Sequence, residues 1–513
     1  MAVILSIFPI LLLFVLMLGF KMPGHKSALI TLIATLLIAF FAPAHIWDAP
    51  GDYYRWGVGW ALVEGLLKAT FPILIIILMA IYSYNVLLES GEIEVIKRQF
   101  TSLTDDRSAM VLLLVWGFGG LLEGMAGFGT AVAIPAAILI SLGFKPGFSA
   151  LVSLIANSVP TGFGAVGVPV ITLANEVAPT GVATPEAISD ISSKVVLQLS
   201  PLMLLVPFVI LMLTDRSTKS IVKNLLLSLW VGGISFAVQY FVALYLGAEA
   251  PAILGSIAAI IAIIIYTKLF APKAEKGEKF TARRLFKAWS VYLFILLFIL
   301  ISGPLVKPLN TFLRSTLVSK VHLPIYAEGK FFAFGWLSNA GLMLFLGTVI
   351  GGMIQGLSFK KLMSILARTI VNLRKTIITI LSLVSIASVM NYAGMILVIA
   401  SALASATGIY YPLFAPLIGA IGTFVTGSDT SSNILFGKLQ NNVAAQLNYP
   451  DANWLVASNT TGATGGKIIS PQSIAIATAS CNMPGKDGEI LRSALPYALG
   501  YIILGGLMVF FGL

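Results

Sequence analysis

Charged side chains are scarce in this chain of 513 residues. Asp, Glu, Lys and Arg together make up 10% of it, while 58% is hydrophobic. Soluble domains carry roughly 25% charged residues, so the composition excludes an ordinary water-soluble globule. Cysteine is almost absent: a lone Cys481 rules out an internal disulfide and a thiolate-bound metal cluster. The histidines are few as well. His25, His45 and His322 all fall in predicted loops, so no pair is placed to hold a haem within a bilayer. A membrane-embedded redox enzyme is therefore disfavoured. No extramembrane domain is visible either, the longest polar connections being residues 174–193, 271–284 and 302–330.

What fills the chain is apolar sequence. A spanning helix needs about 20 mostly apolar residues, and such stretches recur at residues 2–20, 27–44, 71–88, 194–214, 224–246, 251–270, 286–301, 334–356 and 491–513. With the less regular stretches between them, they predict an all-α polytopic membrane protein of roughly twelve to fourteen membrane segments. The 32 Lys and Arg outnumber the 21 Asp and Glu. They gather in short loops, at Lys21 and Lys26, at Arg216, Lys219 and Lys223, and over residues 268–287 and 360–375. That is the cytoplasmic bias of multi-pass proteins rather than the footprint of a nucleic-acid binder. The first twenty residues lack a basic leader and are followed by a basic turn instead of a cleavage site. They read as a span with its N-terminus outside.

Residues 91–108 and 358–375 mix charges with spaced apolar residues and read as amphipathic helices lying along the membrane surface. Each precedes a stretch that looks internally repeated. Ala126-Gly127 faces Ala393-Gly394, Phe144-Lys145-Pro146 faces Tyr410-Tyr411-Pro412, Thr161-Gly162 faces Thr426-Gly427, and Ser200-Pro201 faces Ser470-Pro471. These pairings predict two transport repeats over residues 70–215 and 335–485. N-terminal spans and an interfacial helix occupy 1–69, connecting spans 216–334 and a C-terminal span 486–513. Charge does not decide whether the repeats are inverted. Residues 109–143 either cross once or fold back as a hairpin.

Four hydrophobic segments are broken by Gly, Pro, Asn, Ser and Thr: residues 117–130, 157–169, 426–433 and 459–472. In a helix, glycine costs about 1 kcal/mol relative to alanine and proline about 3. Non-helical backbone at membrane depth survives only where it is buried in protein or lines a wet cavity. Half-helix N-termini favour anions, and paired broken spans mark binding sites in transporters. Gly232-Gly233 and Gly505-Gly506, which lack polar company, read instead as close helix packing. Three ionisable residues fall inside the broken segments: Glu123, Asp429 and Lys467. Each costs about 2.5–3.5 kcal/mol at mid-bilayer on insertion scales. Glu123 is a proton carrier or a structural carboxylate. Asp429 carries a proton, joins a cation site or caps a half-helix. Lys467 anchors a carboxylate, neutralises an acid or snorkels. The string GATGGKI lacks the full spacing and the Ser/Thr of a phosphate loop.

At these residues the chain resembles the lactate permease family of proton-coupled 2-hydroxycarboxylate transporters. The resemblance rests on GLLEGMAGFGT at 120–130, NSVPTGFGAVGVP at 157–169, TGSDTSSN at 426–433 and NTTGATGGKIISPQS at 459–473. It implies import of L-lactate, and in some members D-lactate or glycolate, by proton symport across the plasma membrane. It also implies kinship with an ion-transporter fold in which re-entrant hairpins and broken helices of two inverted repeats meet at the midplane, often in homodimers. No cofactor beyond the coupling proton is implied.

On this reading Glu123, Asp429 and Lys467 serve proton coupling. The substrate anion sits among Asn157, Ser158, Thr161, Gly162, Gly427, Ser428, Thr430, Ser431, Ser432, Asn433, Asn459, Thr460, Thr461, Ser470 and Gln472, and Gly124, Gly127, Gly129, Asn391 and Tyr392 mark hairpin tips. The rivals are a sodium-coupled carboxylate transporter, since the same amides and hydroxyls can ligate Na⁺, and a channel.

Overall fold

The computed structural model describes residues 2–20, 22–41, 56–101, 104, 106–125, 127, 129–179, 181–215, 217, 220–270, 280–303, 306–326, 331–483 and 486–512. Lys21, His45, Ala126, Phe128, Arg216, Lys219 and the basic segment 271–279 lie outside them. Among the described residues the fold is helical apart from one short antiparallel ribbon, Val318–Val321 against Phe332–Gly335. That ribbon replaces the start of the span expected from residue 334, whose helix begins only at Ala340, capped by Asn339 Oδ1 on the Gly341 amide at 2.7 Å. Among the described residues, ten helices are long and apolar enough to cross a membrane, or eleven if the bent pair Pro146–Thr161 and Gly164–Val177 counts as one. Shorter apolar helices at Ala2–Met17, Ala131–Ser141 and Ala340–Ile354 bring the total to the upper end of the expected range.

The Pro185–Thr214 helix is the ruler of the fold. Its 30 residues span about 45 Å. Near its start Lys194 bridges Asp190 at 2.7 Å and Asp451 at 2.9 Å. Beyond its far end Lys223 pairs with Asp106 at 2.8 Å. The Lys223 end also gathers Arg284 and Lys287 around Glu92, and Lys361 and Arg368 around Glu89. The basic excess there makes it the cytoplasmic end. Both amphipathic segments lie at that end, as the helices Glu92–Thr101 and Phe359–Asn372.

Residues 109–143 fold back on themselves. A Cβ at Gly119 would lie 3.4 Å from the Pro135 ring, whereas sixteen residues of straight helix span about 24 Å. The guanidinium of Arg107 rests over the Phe144 ring at 4.7 Å, so both ends of this first hairpin share the cytoplasmic end. Residues 411–446 form a second hairpin. Tyr411 Oη donates to Gln440 Oε1 at 2.8 Å, Gln440 Nε2 to the Ala415 carbonyl at 3.0 Å, and Ser432 Oγ to the Gly419 carbonyl at 2.7 Å. The base of this hairpin lies near Asp451 and Lys194, at the opposite end.

The two hairpin tips and two helix breaks correspond to the four interrupted segments, but their pairing differs from the sequence offsets. Thr426-Gly427 turns a hairpin, while Thr161-Gly162 interrupts a helix that continues with a bend of 48°. A shift of 302 instead sets Asn157 on Asn459, Gly164 on Gly466 and Pro169 on Pro471, with break on break and tip near tip. Short Thr-Gly matches carry too little information to tell a kink from a turn.

Candidate functional site

The second hairpin turns at Gly427, which has a left-handed φ of +73°. A side chain there would suffer twice, because a Cβ would fall 2.1 Å from Gln472 Oε1. Ser428 then caps the helix Asp429–Gln446, its Oγ accepting from the Ser431 amide at 3.2 Å. This leaves Asp429 as the first residue of a half-helix, where the free N–H groups favour negative charge. Asp429 is 4% exposed and neither carboxyl oxygen has a hydrogen-bond partner among the described residues. Thr161 and Thr423 approach it without closing hydrogen-bond geometry. Ser428, not Asp429, supplies the cap, so the carboxylate is free for another task.

Glu123 lies on the first hairpin, two residues before the end of the helix Gly119–Met125, and is also 4% exposed. Its Oε2 has no partner, and the Asn157 amide nearby is equally unsatisfied at both atoms. The carboxyl group reaches the break of the other helix, since a Cβ at Gly164 would meet Glu123 Oε1 at 2.6 Å. That break is strained. Ala165, Val166 and Gly167 are left-handed in succession, with φ of 45°, 60° and 75°. For L-residues this conformation costs roughly 1–2 kcal/mol each, and such strain gathers at functional sites.

Lys467 ends the helix Ala452–Lys467, and its Nζ donates to the Gly427 carbonyl at 2.7 Å. One cation therefore ties the second break to the second hairpin tip. Glu123, Asp429 and Lys467 line a single cavity of about 420 Å³, together with Gly127, Thr161, Gly427, Ser428, Thr430, Ser431 and Gln472. Buried, unsatisfied carboxylates are rare enough in native folds to demand an explanation, such as a bound proton, ion or substrate.

Other residues singled out above bond to one another instead. Asn433 Nδ2 donates to the Pro169 carbonyl and to Thr460 Oγ1, both at 2.9 Å, and its Oδ1 accepts from Asn459 Nδ2 at 2.9 Å. Ser432 bonds to Gly419, and Thr461 Oγ1 donates to Gln198 Oε1 at 2.8 Å. Ser470 caps the helix Pro471–Ser480 through the Ser473 amide at 3.2 Å, and Ser158 bonds back to the Ile155 carbonyl at 2.7 Å. Asn433 ties the hairpin to both broken helices, the other bonds are internal to the hairpin or its helices or reach Gln198, and none of these side chains lines the cavity, nor does Gly162. Gly124 packs on Ile253, and Gly127 and Gly129 form the first tip, with φ of 63° and 83°. Asn391 and Tyr392 close the helix Arg374–Tyr392 beside Gly57 instead of entering the site.

Sequence reasoning missed the mouth of the cavity. His25, expected in a loop, is the second residue of the helix Gly24–Phe41, and it faces the cavity with Lys375, Thr376 and Thr379. Lys375 belongs to a basic run that signals only orientation, so no local pattern marks it.

Two inward hairpins, two broken helices and a charged cavity reached from the cytoplasmic end define a polytopic membrane transporter. The fold is shared by the YdaH transporter of Alcanivorax borkumensis, with a TM-score of 0.53 at 13% identity over 94% of this chain and 98% of that one. It is shared also by MtrF of Neisseria gonorrhoeae, of a class of antimetabolite efflux pumps, with a TM-score of 0.51 at 13% identity over 94% of each chain.

The chain belongs to the L-lactate permease family, whose model matches residues 2–512. Its relatives are permeases. An L-lactate permease of Streptococcus iniae is 40% identical over 90% of this chain and 94% of its own length. The glycolate permease GlcA of Escherichia coli is 34% identical over 99% and 95%, and an L-lactate permease of the same organism 30% over 98% and 94%. The chain is accordingly a multi-pass plasma-membrane protein.

Proposed function

We propose that this protein is a transporter, not an enzyme, and that it imports L-lactate and related short 2-hydroxymonocarboxylates, glycolate included, by proton symport. The observation that carries the reading is the meeting of Glu123, Asp429 and Lys467 in one buried cavity. With both acids ionised, one cation faces two carboxylates, and an incoming anion is repelled. With both protonated, the ammonium is left to balance the substrate carboxylate. Anion entry thus requires proton entry, which is the logic of symport. Thr161, Ser428, Thr430 and Gln472 offer the substrate hydroxyl its partners, a means of rejecting plain fatty acids. Alternating access follows if the two halves related by the shift of 302 are inverted repeats that rock about the cavity.

The test is uptake into proteoliposomes with an imposed pH gradient, inside alkaline. Accumulation of lactate above its external concentration, abolished by collapsing the gradient, is expected. Uptake indifferent to the gradient removes proton coupling. A second reading, sodium coupling, draws on the two free oxygens of Asp429 beside the Thr161 and Thr423 hydroxyls. It requires uptake to stall when choline replaces Na⁺.

A further inference from the structure

The mouth of the cavity carries positive charge that the deep site does not use. Lys375, Thr376 and Thr379 share one face of the helix Arg374–Tyr392, spaced so that they lie side by side, and His25 approaches from the helix Gly24–Phe41. Five other basic side chains at this end already have carboxylate partners: Lys223 pairs with Asp106, Arg284 and Lys287 share Glu92, and Lys361 and Arg368 share Glu89. Lys375 and His25 make no ion pair among the described residues, although both line the cavity. Water occupies about 30 Å³ in the liquid. A cavity of about 420 Å³ therefore exceeds several-fold the room that a short hydroxyacid needs.

We infer that Lys375, His25, Thr376 and Thr379 form a second, shallower carboxylate site, in series with the deep one, that receives the anion on its way to the cytoplasm. The inference rests on the proposed function. When Glu123 and Asp429 give up their protons, the deep end holds one cation against two carboxylates and expels the anion. The other basic side chains lining the cavity are Lys375 and His25. An ammonium supplies point charge, and the imidazole N–H and the Thr376 hydroxyl supply directed donors, while Thr379, whose hydroxyl donates to the Lys375 carbonyl at 2.9 Å, closes the same face, so the site suits a carboxylate. The same charge steers the anion inward during exchange from the cytoplasmic side.

The experiment compares lactate exchange in right-side-out and inside-out vesicles at equal pH on both faces. The proteins are the wild type, Lys375→Gln, His25→Gln with Lys375→Gln, Lys375→Arg, and Thr376→Val with Thr379→Val. Loss of the Lys375 charge should raise the half-saturating lactate concentration at the cytoplasmic face about fivefold, the worth of a unit-charge pair at 4 Å in water. The outer face should stay unchanged, which also verifies that the variants fold and insert. Lys375→Arg should behave as wild type, and the threonine pair should shift the cytoplasmic face alone. Raising ionic strength should weaken cytoplasmic binding in wild type and leave the His25/Lys375 double variant flat. Unchanged kinetics on both faces, or equal changes on both, overturn the inference while wild-type transport keeps the proposed function standing. A wild type that moves neither lactate nor glycolate removes that function, and this site with it.

Discussion

Replacing Lys467 by methionine removes a cation from the deep end of the cavity and the donor on the Gly427 carbonyl, while keeping a long unbranched side chain. Two effects add. Unit charges 4 Å apart attract by about 4 kcal/mol at an effective dielectric constant near 20, and by about 1 kcal/mol in bulk water. The cavity is buried at its end but open at its mouth, so the loss lies between these limits, about fivefold to a thousandfold in substrate affinity. Losing a hydrogen bond from a charged donor costs a further 1.5–3 kcal/mol or so, felt at the hairpin tip as stability. Lactate exchange in proteoliposomes reads the first effect through its half-saturating concentration, and thermal unfolding in detergent reads the second. Lys467→Arg keeps the charge and should retain most of the affinity. A Lys467→Met protein whose half-saturation stays within about twofold of wild type would contradict the charge balance argued from the cavity.

Gly164→Ala should fold and reach the membrane yet fail to transport, because its methyl group would displace the Glu123 carboxyl from 2.6 Å; normal uptake by this variant would disconnect Glu123 from the break. Gly462→Ala should do the opposite and fail to accumulate as folded protein, since its Cβ would fall 1.6 Å from the Pro416 carbonyl oxygen and has no flexible neighbour to displace; yield and monodispersity in detergent report this. Asp106 caps the first hairpin, its Oδ1 accepting from the amides of Ser108 and Ala109 at 2.9 and 3.1 Å. Asp106→Ala should cost about 0.5–2 kcal/mol for the cap alone, and Asp106→Asn distinctly less. Burial pushes the Asp106 carboxyl up, but Lys223 and the two amides outweigh it and hold it below its usual range. A depressed folded value means stability fully present above the unfolded pKa, about 3.9, and lost as pH falls through the folded one. The gap in melting temperature between wild type and Asp106→Ala should therefore be level from neutral to mildly acid pH and close below it.

The sequence alone determined that the chain lives in a membrane, which end faces the cytoplasm, where its helices break, and which three ionisable residues lie at those breaks. Hydrophobic runs, basic loops and Gly/Pro interruptions are local properties, and bilayer insertion responds to local composition. Glu123, Asp429 and Lys467 were legible because an ionisable group within an apolar segment is costly wherever it ends up.

Tertiary structure alone decided what those features became. Thr161-Gly162 and Thr426-Gly427 look alike on paper, yet one bends a helix and the other reverses the chain, because the choice depends on what packs against each arm. Asn433, Asn459 and Thr460 looked like substrate ligands and instead satisfy one another, since an amide bonds equally well to a neighbour or to an anion. Gly462 and Gly466 belong to helix packing, their Cα atoms pressed against the carbonyls of Pro416 and Ala420. His25 and Lys375 stand over 300 residues apart in the chain, and only the packing of two helices brings them to one mouth.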